Sequence, residues 1–421
     1  MNRRQFVIGA AGLTAAAAWY VRPTDNGGEY APFFEKLNGV LQKNGPWVPS
    51  MVVDLDALDR NIDLITQSIG PDKNFRVVAK SIPSPELIQY VAKRAETNRI
   101  MVFHQPFLNR LAALMPKSDI LMGKPMPVQA AKIFYQQHGG PFDSETQLQW
   151  LIDTPNRALE YLELAKSVGK KLRLNVEIDV GLHRGGVQNN QELGRILATI
   201  QDHPNALEFA GFMGYDPHVA KLPSFVGTPS DLLDAALSIY QARVDYCKAN
   251  FSALWHDNLT LNAAGSPTYR LYEGRGLAND ISVGSALVKA TDFDIETLDV
   301  HEPALYIATP VLKASEGLKL PGIDSAGKFL SWWDINQAQT LFVYGGHWKA
   351  TPYQPPGLQL SSVYGRSTNQ EMVNASSSVR VAVGDHVFFR PTQSEHVMLQ
   401  FGDLLSYRGG EIIAKWPVLS A

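Results

Sequence analysis

Two kinds of apolar pattern alternate along most of the chain. Short, nearly continuous apolar runs have the length of buried strands. They occupy Met51–Leu55, Phe75–Lys80, Arg99–Phe103, Asp119–Gly123, Leu148–Asp153, Lys171–Asp179, Leu207–Tyr215, Asn258–Ala263 and Ile281–Ala290. Between them, apolar residues recur at three- and four-residue spacing, which predicts amphipathic helices. These helices occupy Asp56–Gly70, Pro85–Ala95, Gln105–Met115, Pro127–Gln137, Pro155–Val168, Asn190–Asp202 and Asp231–Ser252.

The order of these elements predicts the fold class. Strands that alternate with helices of this length are typical of parallel βα units in an α/β protein. Counted from Phe75–Lys80, eight units fit a (β/α)8 TIM-type barrel better than an open sheet, with Met51–Leu55 as a lead-in strand. We therefore predict that the barrel domain spans residues 50–291.

Beyond about Asp292 the helical spacing fades. Short β-branched and aromatic runs follow one another between Gly, Pro and Asn turns, which is typical of a β-rich domain. These runs occupy Ala304–Leu312, Gln339–Tyr344, Val379–Val383, His386–Pro391, Val397–Phe401, Leu404–Arg408 and Glu411–Pro417. The predicted architecture is therefore a barrel followed by a β-rich C-terminal domain over residues 292–421.

The first residues differ from the rest of the chain. Arg3 and Arg4 precede Phe6 and an uncharged, alanine-rich stretch that ends near Val21. That stretch is short for a membrane span, which needs about 20 strongly apolar residues. Residues 1–21 resemble a twin-arginine export signal, and residues 22–49 read as a linker rich in Pro, Gly and polar residues. The expected location is periplasmic or exported through the twin-arginine machinery, or membrane-anchored if the signal stays uncleaved.

Composition narrows the classes of function. The 421 residues are 45% apolar and 19% charged, which is typical of a globular protein with a hydrophobic core. The formal net charge of −3 and the absence of a Lys/Arg-rich run beyond the first residues argue against nucleic acid as a partner. Cys247 is the single cysteine, so neither an intramolecular disulfide nor a CxxC site can form.

Lys80 is the first candidate for chemistry. It closes the strand Phe75–Lys80, and a side chain at the C-terminal end of a barrel strand points towards the mouth where such folds place their active sites. An amine in that position can form a Schiff base with a carbonyl cofactor. The alternative is a surface lysine that merely ends a strand.

Gly-rich segments follow three later strands. They are Asn175–Val187, Gly211–His218 and Asn262–Thr268, the last of which leads to Gly276–Ile281. Small residues after the seventh strand of a barrel commonly form a phosphate site, because backbone amides can face the anion with no side chain in the way. Each segment taken alone is equally consistent with an ordinary turn.

Taken together, these segments resemble the alanine racemase N-terminal-domain superfamily, the fold type III pyridoxal phosphate (PLP) enzymes built on a barrel and a β domain. The similarity is greatest to the D-threonine aldolase and D-serine dehydratase group. The segments that carry the resemblance are Val52–Leu58 with Asn61, Arg76–Lys80, Val176–Asp179 with Gly181 and Arg184, and Gly384–Pro391 with Trp416 and Pro417.

The resemblance implies roles for particular residues. Lys80 would hold PLP as a Schiff base and, once freed by a substrate amine, act as a general base. The other implied cofactor contacts are Gly265, Ser266 and the backbone near Asn279 and Asp280 at the phosphate, Tyr215 beside the ring, and Arg184 near the site mouth or the ring nitrogen. Relatives of this fold are commonly dimeric, so the resemblance also implies a homodimer.

The chain also departs from the group's pattern. Val78 and Ile82 stand where the group has histidines around its lysine, and Ser362–Gly365 replaces a glutamate–histidine pair. Gln393 and Glu395 stand where the group binds a divalent metal through His and Cys. Because zinc prefers imidazole and thiolate, Gln393 and Glu395 are poor zinc ligands, and we predict no metal site here, although these side chains remain chemically compatible with a harder ion such as Mg²⁺ or Mn²⁺.

The sequence leaves three functional hypotheses open. The first is a PLP-dependent D-amino acid lyase, either dehydratase-like or aldolase-like, with His218 as an additional catalytic candidate. The second is an amino-acid racemase in which Tyr364 or Tyr215 opposes Lys80 as the second acid–base group. The third is a non-catalytic protein that binds PLP or another ligand, which the departures from the family pattern favour.

Overall fold

The computed structural model describes residues 22–223, 225–319 and 324–420, apart from the side chains of residues 324–326. The predicted export signal at residues 1–21 lies outside these ranges. Within them, none of the helices combines the length and the apolar character that crossing a membrane requires.

The elements alternate as the sequence pattern predicts up to residue 283. The helices of the described residues are α1 (Pro32–Asn44), α2 (Leu55–Ile69), α3 (Pro85–Arg94), α4 (Gln105–Leu114), α5 (Val128–Gln137), α6 (Pro155–Val168), α7 (Asn190–Asp202), α8 (Pro229–Asn250), α9 (Asp324–Trp333) and α10 (Ser394–Met398). The strands are β1 (Ser50–Asp54), β2 (Asn74–Val78), β3 (Arg99–Val102), β4 (Asp119–Met122), β5 (Leu148–Ile152), β6 (Leu172–Ile178), β7 (Leu207–Gly214), β8 (Thr260–Ala263), β9 (Asp280–Val283), β10 (Leu305–Glu316), β11 (Gln339–Tyr344), β12 (Ala350–Gln354), β13 (Gln359–Leu360), β14 (Gln370–Ala375), β15 (His386–Pro391), β16 (Leu404–Arg408) and β17 (Glu411–Trp416).

Strands β2 to β9 form a closed parallel barrel in chain order, so the predicted (β/α)8 barrel is confirmed. Its strands are covered on both faces, and every residue of β5 is buried. Burial on both faces explains why the strands read as continuous apolar runs and not as alternating ones. The lead-in strand β1 belongs to the second sheet and not to the barrel.

Several barrel helices begin with a Ser or Thr that caps the N-terminus and a Pro at the first helical position. The Ser84 hydroxyl accepts a hydrogen bond from the Leu87 amide, and Pro85 occupies the first helical position of α3. Thr154 and Thr228 cap α6 and α8 in the same way, each followed by a proline. Such a cap stabilises a helix by about 1 kcal/mol and leaves little freedom in the strand-to-helix turn. In the first unit, that turn carries Lys80.

A buried network of charges fills the N-terminal half of the barrel interior. Arg76 is fully buried and donates from Nε and Nη2 to the two carboxylate oxygens of Asp280 at 2.8 and 2.9 Å. Its Nη1 lies 2.8 Å from Asp119 Oδ1, while Arg99 and Asn262 also donate to Asp280. Although burial opposes the charged form, Asp280 and Asp119 raise the pKa of Arg76 above its ordinary value.

Contacts divide the chain into two compact units. The barrel unit contains Val53–Leu305, Gln393–Ser406 and the residues from Ala414 onward. The sheet unit contains the described residues up to Val52, Tyr306–Thr392 and Tyr407–Ile413. A single C-terminal domain over residues 292–421 therefore does not describe the contacts, because Gln393–Ser406 packs with the barrel.

The sheet unit is built around β10, which pairs antiparallel with β11 and β15. The predicted linker over residues 22–49 belongs to this unit and contains helix α1. Phe34 of α1 is buried, and its ring centroid lies 4.9 Å from those of both Tyr306 and Phe388. The linker interpretation was therefore wrong for residues 32–44, because aromatic packing holds this segment as a helix.

Candidate active site

A cavity of about 200 Å³ opens in the barrel unit at the C-terminal ends of the strands. Five residues predicted from the sequence line it: Lys80, Arg184, Tyr215, Gly265 and Ser266. They come from four different strand ends, so the closed barrel is what brings them together. The cavity also receives Gln393 and Glu395 from the start of α10.

Lys80 lies in a single 3-10 turn, Ala79–Ser81, between β2 and α3. Its Nζ lies 3.3 Å from Glu395 Oε2 and 4.8 Å from the centroid of the Phe103 ring. The Lys80 side chain is 39% exposed, and that of Glu395 is 36% exposed. The amine therefore faces the cavity, where it has a carboxylate partner and remains open to solvent and ligands.

Ser266 belongs to a group of small residues that line the same cavity as the charged pair. Its hydroxyl oxygen accepts hydrogen bonds from the backbone amides of Gly284 at 3.2 Å and Ala286 at 3.0 Å. Because two donors already occupy this oxygen, the hydroxyl proton is left to donate, and no described residue accepts it. A Cβ at Gly265 would lie 2.6 Å from Tyr215, so the chain requires glycine at this point of the wall.

The structure corrects the predicted roles of Asn279 and Asp280. The Asn279 side chain bonds to the backbones of Leu259 and Leu261, and Asp280 is fully buried with Arg76. Neither residue lines the cavity. Both precede or begin β9, whereas a barrel uses the opposite, C-terminal strand ends for its site.

The residues that the sequence analysis missed lie at that opposite end. β9 ends at Val283, and Gly284 and Ser285 line the cavity directly after it. The apolar pattern predicted a strand that continued to Ala290, so these small residues fell within a predicted strand and not after one. Ending the strand at Gly284 would have identified them.

Tyr215 and Arg184 form a stacked pair at the cavity. The Arg184 guanidinium lies 4.9 Å from the centroid of the Tyr215 ring. Burial raises the pKa of the Tyr215 phenol, with Arg184 opposing the shift, so this group stays protonated at neutral pH. Burial also raises the pKa of Glu177, on β6, to about 7, and Arg184 again opposes the shift.

Comparisons with known proteins identify the family. Residues 53–292 match the family described as alanine racemase, N-terminal domain. The chain belongs to this family. The match covers the whole barrel from α2 to β9, including every cavity-lining residue that the sequence analysis predicted.

The chain is similar in sequence to one known protein and in fold to several solved structures. A 3-hydroxy-D-aspartate aldolase of Paracoccus denitrificans is 26% identical over 195 residues, which are 42% of this chain and 49% of that protein, so the match spans about half of the relative's length. D-Threonine aldolase of Filomicrobium marinum has a TM-score of 0.70 at 16% identity, covering 88% of this chain and 95% of that one. Alanine racemase of Bacillus anthracis has a TM-score of 0.67 at 15% identity, covering 88% and 97%.

Asp216 supports the cavity wall of this alanine racemase-family barrel from behind. It is almost wholly buried and accepts hydrogen bonds from the hydroxyls of Thr268 at 2.6 Å and Tyr272. Thr268 in turn accepts a hydrogen bond from the Gly265 amide at 3.2 Å. Burial raises the pKa of Asp216, and the two hydroxyl donors oppose that shift. The network therefore holds the Gly265–Thr268 turn in place.

Two predicted catalytic residues lie outside the cavity lining. His218 is half-buried in the 3-10 turn Pro217–Ala220, where burial lowers its pKa. A Cβ at Gly181 would lie 3.3 Å from the His218 ring, so His218 packs against the Gly-rich loop after β6. Tyr364 belongs to the sheet unit, and its hydroxyl donates to the Lys319 carbonyl at 2.7 Å. Catalytic roles for both residues stay predictions.

Gln393 and Glu395, at the positions where the resemblance implied metal ligands, have other partners in the barrel unit. The Gln393 amide donates to Asp292 Oδ2 at 2.9 Å, and Glu395 pairs with Lys80. In the described ranges of the chain, no three His, Cys, Asp or Glu residues are grouped so that they could hold a metal ion.

Proposed function

We propose that this protein is a PLP-dependent D-amino acid lyase, of the dehydratase or aldolase type, in which Lys80 holds the cofactor. The observation that carries the proposal is a lysine amine in a cavity that is also lined by a small-residue loop with a hydroxyl proton left to donate. The alanine racemase family binds PLP, and the similar 3-hydroxy-D-aspartate aldolase supports a lyase acting on a D-amino acid.

The residues present fit the cofactor. Lys80 offers the amine that an aldehyde requires, and Ser266 offers a hydroxyl proton to a phosphate beside the glycine at 265. Bound PLP supplies an electron sink for the charge that develops at a substrate's Cα. The Lys80 amine would take a proton from a substrate's Cα, while the neutral Tyr215 phenol and the Arg184 cation keep that part of the cavity polar.

A racemase is the second candidate, because Tyr215 is a protonated phenol in the same cavity as Lys80. A racemase needs a second acid–base group on the opposite face of the substrate's Cα. The two reactions differ in product: a lyase forms an oxo acid with ammonia or an aldehyde with a smaller amino acid, whereas a racemase only inverts the substrate.

An absorbance spectrum tests the cofactor assignment. The full-length protein incubated with PLP should show a visible band that Lys80→Ala lacks and that Lys221→Ala, which changes the other lysine of the cavity lining, retains. A panel of D- and L-amino acids should then perturb the band selectively, and product analysis by NMR separates lyase from racemase. No band in the wild-type protein would overturn the proposal. A band that no amino acid perturbs would favour the non-catalytic alternative.

The homodimer and the export by the twin-arginine machinery remain proposals of their own. Light scattering of the purified protein would test the dimer, since a monomer mass at working concentration contradicts it. Fractionation of cells that express the full chain, beside a variant with Arg3 and Arg4 changed to Lys, would test export.

A further inference from the structure

Glu395 is the single carboxylate among the described residues that line the cavity. Its Oε2 and Oε1 lie 3.3 and 3.4 Å from Lys80 Nζ. Both carboxylate oxygens therefore approach the one amine that the proposed function requires.

The backbone around Glu395 is firmly held. Ser394, Val397 and Met398 of α10 are buried, and Gln393, which precedes the helix, donates to Asp292. Glu395 occupies the face of α10 that is left open to the cavity. The packing of the neighbouring residues therefore determines where this carboxylate points.

Stability does not explain the ion pair. Each side chain is more than a third exposed, and exposed pairs of this kind typically contribute little to the stability of a protein. Exposure to the cavity instead leaves both groups able to exchange protons with each other and with a bound molecule. This arrangement is what a pair of acid–base groups requires.

We propose that Glu395 is a catalytic acid–base residue that exchanges protons with Lys80 and with the β-hydroxyl oxygen of the substrate. This inference rests on the proposed function and narrows its substrate class to β-hydroxy amino acids. Lys80 works at Cα and Glu395 at the oxygen on Cβ.

In an elimination of water from the substrate, Lys80 and Glu395 together gain and lose the same number of protons. The Cα–H bond breaks and its proton goes to the Lys80 amine, while its electron pair ends in the new Cα=Cβ bond. The Cβ–O bond breaks, and the hydroxyl leaves as water with the proton of the Glu395 carboxylic acid. The Lys80 ammonium then returns its proton to the Glu395 carboxylate across the 3.3 Å contact, and no oxidant or reductant is consumed.

The first test separates the two proton transfers. Holoenzyme carrying Glu395→Gln, incubated with a β-hydroxy amino acid in D2O, should keep Cα–H exchange within about tenfold of wild type and lose elimination by at least about a hundredfold. Glu395→Asp should recover part of the elimination rate. The control Glu302→Gln removes a carboxylate from an exposed pair with Arg60 and should match wild type. Equal losses of exchange and elimination, or an unchanged elimination rate, would overturn the proposal.

The second test needs no turnover. Apoenzyme is mixed with PLP over a range of pH, and the rate at which the visible band forms is recorded. Because the Glu395 carboxylate lies 3.3 Å from an amine that must give up a proton when it reacts with the aldehyde, Glu395→Gln should slow band formation severalfold at each pH, whereas Glu302→Gln should not. An unchanged rate of band formation contradicts proton exchange between the two residues, and a wild-type protein that forms no band contradicts the proposed function itself.

Discussion

Each end of the barrel interior contains an ion pair, but the pair at one end is buried and the pair at the other end is exposed to the cavity. At the N-terminal end, Arg76 and Asp280 are completely buried and joined by two hydrogen bonds. At the C-terminal end, Lys80 and Glu395 lie 3.3 Å apart and are each more than a third exposed. The buried pair contacts only other protein groups, whereas the exposed pair can still contact a ligand in the cavity.

This difference shows which end stabilises the barrel and which end does chemistry. A buried charge that loses its partner destabilises a fold strongly, so the residues around Arg76 cannot change their pairing during a reaction. An exposed pair contributes little to folding, so its groups are free to change protonation and partner. Three substitutions test this division between a stabilising end and a reactive end of the barrel, and they follow in order of decreasing expected effect.

The largest expected effect follows from Arg76→Leu. It leaves Asp280 buried without its bidentate partner and should lower the free energy of unfolding by about 3–5 kcal/mol, measured by urea denaturation. The matched control Arg60→Ala breaks an exposed pair with Glu302 and should change stability by less than about 1 kcal/mol. Similar losses of stability in the two variants would show that burial does not distinguish the Arg76 pair from the exposed Arg60 pair.

A smaller effect is expected from Glu177→Gln, near the C-terminal end of β6. Burial raises the pKa of Glu177 from 4.5 to about 7 in the folded protein. Between these values the folded state keeps a proton that the unfolded state has lost, so this group's contribution to stability falls as pH rises to about 7. Relative to wild type, Glu177→Gln should therefore gain on the order of 2 kcal/mol between pH 5 and pH 8.

The measurement is the unfolding free energy of both proteins at each pH. Glu192→Gln is a suitable control, because Glu192 is exposed at the start of α7. A pH dependence that is identical in wild type and Glu177→Gln would show that Glu177 is already ionised in the folded protein.

The smallest effect is expected from Ser266→Ala, which removes the hydroxyl proposed to donate to the cofactor phosphate. The affinity for PLP should fall about tenfold, equivalent to about 1.4 kcal/mol. Pyridoxal, the same aldehyde without the phosphate, should bind both proteins equally in a spectroscopic titration. If Ser266→Ala weakens the binding of PLP and of pyridoxal equally, Ser266 supports the structure of the cavity and does not bind the phosphate.

Many of the residues that line the cavity were predicted from short segments of the sequence. The strand ending at Lys80, the Gly-rich loop with Arg184, and the Gly265–Ser266 segment were each predicted, and all line the cavity. Asn279 and Asp280 were carried over from the family resemblance, but they lie at the N-terminal end of the last barrel strand and do not line the cavity. Gly284 and Ser285, which follow that strand, do line it. Glu395 was interpreted as a departure from a metal site, since nothing in the sequence indicates that it contacts Lys80.

The sequence by itself determined the barrel, because burial on a closed sheet imposes a repeated apolar pattern that local reading detects. It also determined that the lysine lies at the C-terminal end of the first barrel strand, where a barrel places its chemistry, although the strand itself stops at Val78. Only the tertiary structure decided that Gln393–Ser406 packs with the barrel unit, and that Glu395 meets an amine 315 residues earlier in the chain. That contact depends on how α10 packs through Val397 and Met398, and packing between distant segments leaves no periodic signal in the sequence.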